Sequence, residues 1–290
     1  MLVPCHCNSR VTSMKIGIIG TGNVGTHLVK GLAAAGLEVV VIYSRTLAHA
    51  QEAVQFAPTA RAVDFLDFTA CPRADLYLLA VPDQVLPEIV AKALFPEGTV
   101  VAHTSGTQPM EVLQPLKNVQ VGVFYPLQTF SKEKDVDWPR IPICWEASSP
   151  EAGEMLQQVA VALSRNVLEM AGPARRQLHV AAVFACNFTN HLWGVAQEIL
   201  QTANLPVTLL QPLVEETVAK AFQFPPFAVQ TGPARRNDQT TLQAHANLLQ
   251  DFPEYTALYQ VLTASIQRQA GFAPVSGLEA KNRNPGKPAQ

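Results

Sequence analysis

The stretch Lys15-Ile16-Gly17-Ile18-Ile19-Gly20-Thr21-Gly22-Asn23-Val24-Gly25 determines how the rest of the chain is interpreted. The apolar residues at its start predict a buried strand. A helix is predicted over residues 26–35, which follow the stretch. Between them, Gly20, Gly22 and Gly25 have the G-x-G-x-x-G spacing of a dinucleotide-binding turn. In that turn the first glycine allows the tight bend, the second lets a pyrophosphate approach the backbone, and the third lets helix and strand pack closely.

The N–H groups at the start of the helix would face the phosphates of the dinucleotide. The motif therefore predicts a cofactor-binding loop, with an ordinary glycine-rich turn as the alternative. The predicted cofactor contacts in the loop are Gly20, Thr21, Gly22, Asn23, Val24 and Gly25.

The end of the second predicted strand, Glu38 to Tyr43, bears on which dinucleotide is bound. An NAD site usually has an acidic residue there, whereas this chain has Ser44-Arg45-Thr46. A hydroxyl and a guanidinium suit the additional phosphate of NADP, which a carboxylate would repel. We therefore predict NADP(H) as the cofactor and NAD as the less favoured one; the alternative is that Arg45 is simply a solvated residue.

Composition excludes several classes of protein. The chain has 290 residues, of which 48% are hydrophobic and only 15% charged, and its net charge is -2. A length of this size suggests two domains or one large one. The charge gives no reason to expect nucleic acid, and without an apolar run of 18 or more residues we expect no membrane span.

Five scattered cysteines indicate reduced thiols in a cytoplasmic protein. Cys5-His6-Cys7 could hold a metal in principle, but no second ligand pair follows at zinc-like spacing, so we predict no metal site.

The third strong strand signal is the apolar run from residue 75 to Pro82, typical of a central parallel strand. Val81 and Pro82 would then lie at the carboxyl edge of the sheet, where ligands bind in open α/β folds. Asp83 lies at the same edge and could face a ligand there, but the role that we favour for it is the N-cap of a helix over residues 84–94.

A further strand, residues 99–106, is expected to end at the same edge of the sheet. Ser105 and Gly106 are predicted to approach the nicotinamide or the substrate. For His103 we favour a structural, hydrogen-bonded role over one as an acid or base.

Strand signals at 119–124, 141–145 and 166–170 flank a predicted helix at 151–164, and strands almost disappear after residue 172. The predicted fold class is therefore α/β, a Rossmann doubly wound parallel sheet followed by an all-helical C-terminal domain. The predicted divisions are 1–13 (disordered extension), 14–172 (Rossmann domain), 173–273 (helical substrate and dimerisation domain) and 274–290 (disordered tail). Met14 is a candidate start of translation.

A long helix is predicted from residue 176 to 202. At 100° per residue, a polar stripe lies within an arc of roughly 120°. Burying such side chains costs free energy unless each finds a partner, which a ligand cleft, a neighbouring helix or water could supply. We predict His179, Asn187 and His191 as catalytic. The stripe comprises Arg176, His179, Asn187, Asn190 and His191.

The other polar cluster spans residues 231–238. Asp238 is placed to N-cap the helix predicted from Gln239. Arg235 and Arg236 could bind an anionic substrate or could be solvated loop residues, and Arg236 is the predicted substrate ligand.

Together these motifs resemble the Rossmann-like family named NADP oxidoreductases of the deazaflavin-dependent type, whose C-terminal half is a domain of unknown function. The deazaflavin part of that name carries no weight here. The family is similar to pyrroline-5-carboxylate reductases and β-hydroxyacid dehydrogenases, which often dimerise through a helical domain. The signatures extend from Met14 to about Phe272: the glycine loop, residues 80–83, 103–106, 126–130 (with Gln128 as a predicted substrate contact), 179–188 and 231–238.

Two departures from the resemblance affect the predicted chemistry. The family usually has His where this chain has Tyr125, which weakens any acid role there. The β-hydroxyacid dehydrogenases use a lysine on the first helix of the second domain, and no lysine lies between Lys134 and Lys220. His179 or His191 would then be the proton donor.

We therefore predict an NADP(H)-dependent oxidoreductase that transfers hydride to or from a C=O or C=N carbon of a small substrate, which would be anionic if Arg236 binds it. The resemblance implies a homodimer formed by the helical domain. The alternative is a non-catalytic NADP(H)-binding sensor or scaffold.

Overall fold

The computed structural model describes residues 14–273. The predictions for 1–13 and 274–290, including Cys5-His6-Cys7 and both disordered ends, lie outside the described residues. Cα packing divides the chain into two compact units, Met1–Phe188 and Thr189–Gln290. The boundary predicted from sequence, at residue 172, marks the end of the strand signals, and the packing division falls further along the chain.

The first unit contains one eight-stranded sheet in the order β3-β2-β1-β4-β5-β6-β7-β8. All neighbouring strands are parallel except β6 and β7. The order reverses between β1 and β4, the switch point at which doubly wound sheets bind ligands. The predicted Rossmann sheet is confirmed. The strands are β1 (Lys15–Ile19), β2 (Glu38–Tyr43), β3 (Arg61–Val63), β4 (Leu76–Leu79), β5 (Val100–His103), β6 (Gln120–Pro126), β7 (Ile143–Ala147) and β8 (Val167–Glu169).

Helices cover both faces of this sheet. Alternate residues of one strand enter different cores: Ile16 and Ile18 of β1 pack on one side, and Ile19 on the other. Burial on both faces explains the near-continuous apolar runs in the sequence. The helices of the first unit are α1 (Asn23–Ala34), α2 (Leu47–Val54), α3 (Leu86–Lys92), α4 (Pro150–Leu163) and α5 (Gly172–Ala182).

The second unit is helical, as predicted. Its helices are α6 (Thr189–Thr202), α7 (Gln211–Gln223), α8 (Pro233–Arg236), α9 (Gln239–Leu248) and α10 (Pro253–Gln269). Its small core contains Ala234, Leu242 and Ala246, with Tyr259 and Ile266 packed against them.

The long helix predicted from residue 176 begins earlier, at Gly172, and is not regular. A π-helical turn, Val183–Phe188, separates α5 from α6. A π turn inserts extra residues into the α-helical repeat, so residues after it are rotated relative to those before it. The single helical wheel that defined the polar stripe was therefore wrong beyond Ala182.

Candidate cofactor and active site

The three glycines of the loop have three different environments. Gly20 has φ +105°, and a Cβ there would lie 2.4 Å from the Ala80 carbonyl oxygen. A Cβ on Gly25 would lie 1.9 Å from the carbonyl oxygen of Gly20, whereas one on Gly22 would meet no atom within 4 Å. Gly20 therefore needs its left-handed conformation, Gly25 allows α1 to approach β1, and Gly22 leaves open space over the backbone.

Gly22 is also the N-cap residue of α1, and no side chain caps that helix. The Thr26 hydroxyl donates to the Thr21 carbonyl at 3.1 Å and holds the loop in shape. Asn23, Val24 and Gly25 form the first turn of α1, where N–H groups are available to an anion.

A cleft of about 340 Å³ opens beside this loop. Seven residues predicted to contact the cofactor line it together: Gly20, Thr21, Gly22, Ser44, Arg45, Val81 and Pro82. Ser44 is buried at the end of β2, while Arg45 is exposed. Three further polar side chains at the cleft were not identified from sequence, namely Thr46, His49 and Lys132. Thr46 and His49 could have been predicted as cleft residues only because they follow Arg45 closely in the sequence. Nothing in the sequence connects Lys132 to the glycine loop.

The turn after β5 is shaped by the Ser105 side chain. Its hydroxyl oxygen accepts hydrogen bonds from the backbone N–H of Thr107 at 3.1 Å and of Gln108 at 2.9 Å. The Thr107 hydroxyl donates a hydrogen bond to the Asp83 carboxylate. The prediction that Asp83 caps a helix is therefore wrong, because α3 begins only at Leu86 and its N-cap is Val85. Asp83 instead ties the loop after β4 to the turn after β5.

His103 lies fully buried at the end of β5 and accepts a hydrogen bond at Nδ1 from the backbone N–H of Ser105. Burial and, to a smaller extent, the nearby Arg175 guanidinium together lower the pKa of His103 to about 4. A neutral, hydrogen-bonded imidazole fits the structural role predicted for this residue.

Tyr125 and His179 form a pair next to Gly106. The Tyr125 hydroxyl and His179 Nδ1 are 2.9 Å apart. A Cβ on Gly106 would lie 2.5 Å from His179 Nδ1 and 2.8 Å from the Tyr125 ring, so only glycine fits between the turn and this pair. Burial raises the pKa of Tyr125 to about 12, so its phenol is protonated at neutral pH.

A second cleft, of about 630 Å³, lies against the Tyr125–His179 pair. Gln128, Phe130 and Asn187 also line it, so three predicted site residues, Gln128, His179 and Asn187, are brought together here. Tyr125 was set aside in the sequence analysis because it replaces the family's His, and its pairing with His179 was not predicted.

Arg175 is a buried cation, and nothing in the sequence distinguishes it from its exposed neighbour Arg176. Its side chain is 0% exposed. Nη1 is 2.5 Å from Glu146 Oε2 on β7, and Nη2 donates to the Gln108 carbonyl at 2.7 Å. The guanidinium therefore fixes α5, which carries His179, to β7 and to the turn after Ser105.

His191 and Arg236 belong to the second unit and are exposed there. Asp238 N-caps α9, as predicted, because its carboxylate accepts from the Thr241 N–H at 3.1 Å. Bonding to Thr241 lowers the pKa of Asp238. The loop before it is stabilised by Asn237, which has φ +54° and accepts a hydrogen bond from the buried Gln267.

Within residues 14–273, no three His, Cys, Asp or Glu side chains are grouped so that they could hold a metal ion. The helices in the same range are all too short or too polar to cross a membrane.

Family models match the two parts of the chain separately. A Rossmann-like domain matches residues 3–127, and the domain of unknown function DUF2520 matches residues 141–266. No curated protein matches the chain.

Solved structures match nearly the whole chain. The "putative NADP oxidoreductase BF3122" of Bacteroides fragilis is 38% identical, with a TM-score of 0.81, over 89% of this chain and 99% of its own. Protein TM1727 of Thermotoga maritima is 18% identical, with a TM-score of 0.72, over 88% of this chain and 99% of its own.

A reductive aminase of Aspergillus terreus, solved with NADPH and ethyl-5-oxohexanoate, is 13% identical, with a TM-score of 0.60, over 90% of this chain and 88% of its own. At such identities the Thermotoga and Aspergillus proteins share the fold alone. The 38% identity extends over almost the full length of the Bacteroides protein. The chain therefore belongs to the family of that protein, in which a Rossmann-like domain precedes a DUF2520 domain.

Proposed function

We propose that the chain is an NADP(H)-dependent oxidoreductase that transfers hydride to or from a C=O or C=N carbon of a small substrate. The observation that carries the proposal is the glycine-loop cleft. Gly22 leaves space where a pyrophosphate would approach, and Ser44 and Arg45 line the same cleft at the end of β2. The residues fit a dinucleotide with a 2′-phosphate, and the name of the Bacteroides relative is in accord with NADP.

NADPH, when bound, supplies the hydride, and the chain has to supply the proton. We assign proton transfer to the Tyr125–His179 pair, because the two groups share a hydrogen bond at the wall of the second cleft. Each of them is chemically able to transfer a proton. Gln128 and Asn187 line the same cleft and offer amide groups to orient a carbonyl or imine substrate.

His191 and Arg236 remain predictions, as an alternative proton donor and as a ligand of an anionic substrate. Replacing His191 by Gln and Arg236 by Met, one at a time, tests these roles: full turnover in the first and an unchanged KM in the second exclude them.

The cofactor assignment is tested by calorimetric titration of the purified protein with NADPH and with NADH. We expect tighter binding of NADPH. Replacing Arg45 by Met should weaken NADPH binding on the order of 10-fold and leave NADH binding unchanged, because a charge-assisted phosphate contact is lost. Equal affinities for the two cofactors, unaffected by this substitution, contradict the NADP assignment.

The catalytic assignment is tested by following NADPH oxidation at 340 nm with a panel of carbonyl and imine compounds. Tyr125→Phe and His179→Gln should each lower kcat by about 10²-fold or more while NADPH binding is retained. If the protein binds NADPH but oxidises it with no member of the panel, the second candidate gains support: an NADP(H)-binding sensor, which the lack of a lysine between residues 134 and 220 also favours.

We further propose that two copies of the chain associate through their helical parts. The second unit exposes many large apolar side chains, among them Phe222 at 90%, Phe227 at 69% and Leu213 at 63%. Apolar surface on this scale marks an interaction site in a protein that stays in solution. Light scattering should give a dimer mass, and Phe222→Glu should shift it toward the monomer, whereas Lys220→Glu on the same helix should not.

A further inference from the structure

The segment that follows β6, residues 128–137, runs along the first turns of α1, and we call it the strap. The Asn23 side-chain amide donates to the Phe130 carbonyl at 2.9 Å. His27 Nε2 lies 2.7 Å from the Ser131 carbonyl oxygen. Because a carbonyl only accepts, Nε2 carries the hydrogen of this bond. Two side chains of α1 therefore hold consecutive residues of the strap.

Packing and charge hold the strap at further points. Lys30 Nζ pairs with Asp135 at 2.8 Å. The Phe130 ring lies 5.4 Å from the His27 ring and 5.8 Å from the Trp138 ring, between centroids. The strap thus packs along α1 from Asn23 to Lys30 and is not a loop free in solvent.

This seating brings Lys132 to the glycine-loop cleft. Its side chain lines the cleft together with Gly20, Gly22 and Arg45. Lys30, Lys92 and Lys220 pair with carboxylates in the described part of the chain, whereas Lys132 has no such partner there.

The charged side chains that line the cleft are all positive. Arg45 and Lys132 are its charged side chains, and none of the described lining residues is acidic. The uncapped N-terminus of α1 adds partial positive charge at the same place. Two cations and a helix N-terminus around a groove favour a ligand with more than one phosphate.

We propose that Lys132 binds the pyrophosphate of the dinucleotide and that the strap holds it in position; this inference rests on the proposed function. Asn23 and His27 fix the two residues just before Lys132 to the start of α1, which is the part of the loop that faces a pyrophosphate. Arg45 lies at the end of β2, the place that the 2′-phosphate would take. The two cations thus contact different phosphates.

The test is Lys132→Met, with Lys134→Met as the matched control, because Lys134 is an exposed lysine of the same strap that does not line the cleft. Each protein is titrated calorimetrically with NADPH and with NADH at two salt concentrations. We expect Lys132→Met to weaken binding of both cofactors about 10-fold, which corresponds to about 1.4 kcal/mol, and to reduce its dependence on salt. The control should match the unmodified protein.

Three results overturn the inference. A loss confined to NADPH means that Lys132 contacts the 2′-phosphate. Unchanged affinity in Lys132→Met, or an equal loss in the control, means that there is no specific contact. In each of these cases the unmodified protein still binds NADPH and the proposed function stands, whereas failure of the unmodified protein to bind either cofactor removes the proposed function as well.

Discussion

Replacing Gly22 by Ala should weaken cofactor binding without destabilising the protein. A Cβ at this position meets no atom within 4 Å. The backbone there is extended, with φ -70° and ψ -167°, so alanine is not strained. Alanine is a poorer N-cap than glycine, by up to about 1 kcal/mol, but it lowers the conformational entropy of the unfolded chain, which stabilises the protein by about 0.4–1 kcal/mol, so the two effects largely cancel. We expect the melting temperature to change by no more than about 2 °C.

Gly25→Ala is the contrasting substitution. Its Cβ would lie 1.9 Å from the Gly20 carbonyl oxygen and 2.9 Å from the carbonyl carbon. Both are backbone atoms that cannot rotate away, so α1 has to move away from β1. Overpacking of this kind costs about 1–3 kcal/mol, and the upper half of that range lowers the melting temperature by about 4–12 °C.

Both variants are measured by thermal unfolding without cofactor and by calorimetric titration with NADPH. Gly22→Ala should bind at least about 10-fold more weakly, because the methyl group occupies the space into which a pyrophosphate would approach. Wild-type affinity in Gly22→Ala would refute the placement of the pyrophosphate over this residue. If Gly22→Ala lost as much stability as Gly25→Ala, the inference that a Cβ at Gly22 meets no neighbouring atom would be refuted.

Three further predictions concern stability. His103 binds a proton near pH 6.5 in the unfolded chain but only near pH 4 in the folded chain, so the free energy of unfolding should fall by roughly 3 kcal/mol as the pH drops from 6.5 to 4. Urea titrations of His103→Gln over the same pH range should show a shallower fall. Glu146→Gln leaves Arg175 buried without a carboxylate and should cost roughly 3 kcal/mol in urea unfolding. Ser149→Ala removes the cap on the Ala152 N–H at the start of α4, and a loss of about 1 kcal/mol should lower the melting temperature by about 2–4 °C.

The sheet and the glycine loop could be predicted because their determinants are local. Gly20, Gly22 and Gly25 act on backbone within a few residues, and a strand buried on both faces is apolar throughout. The Asp238 cap was predictable for the same reason, since its partner is three residues away. Asp83 shows the limit of such rules: the same residue type before a helix bonds instead to Thr107 on a neighbouring loop.

The direction in which side chains point from the long helix could not be predicted beyond residue 182. A helical wheel assumes a constant rotation per residue, and nothing in the composition of residues 183–188 predicts the π turn. Asn187 is nonetheless found with His179 at the second cleft. The structure thus places these two residues at one cleft, although the helix does not keep the angle on which their grouping was based, and their catalytic role stays a prediction.

The groups that sequence reasoning missed are brought together by distant parts of the chain. Tyr125 lies near the end of β6, whereas His179 lies on α5, after β7, α4 and β8. The antiparallel pairing of β7 with β6 and the ion pair between Glu146 on β7 and Arg175 on α5 help to set the two side by side. The Tyr125 phenol is bonded to an imidazole from another element, and this hydrogen bond is the basis of the proton-transfer role proposed for the pair.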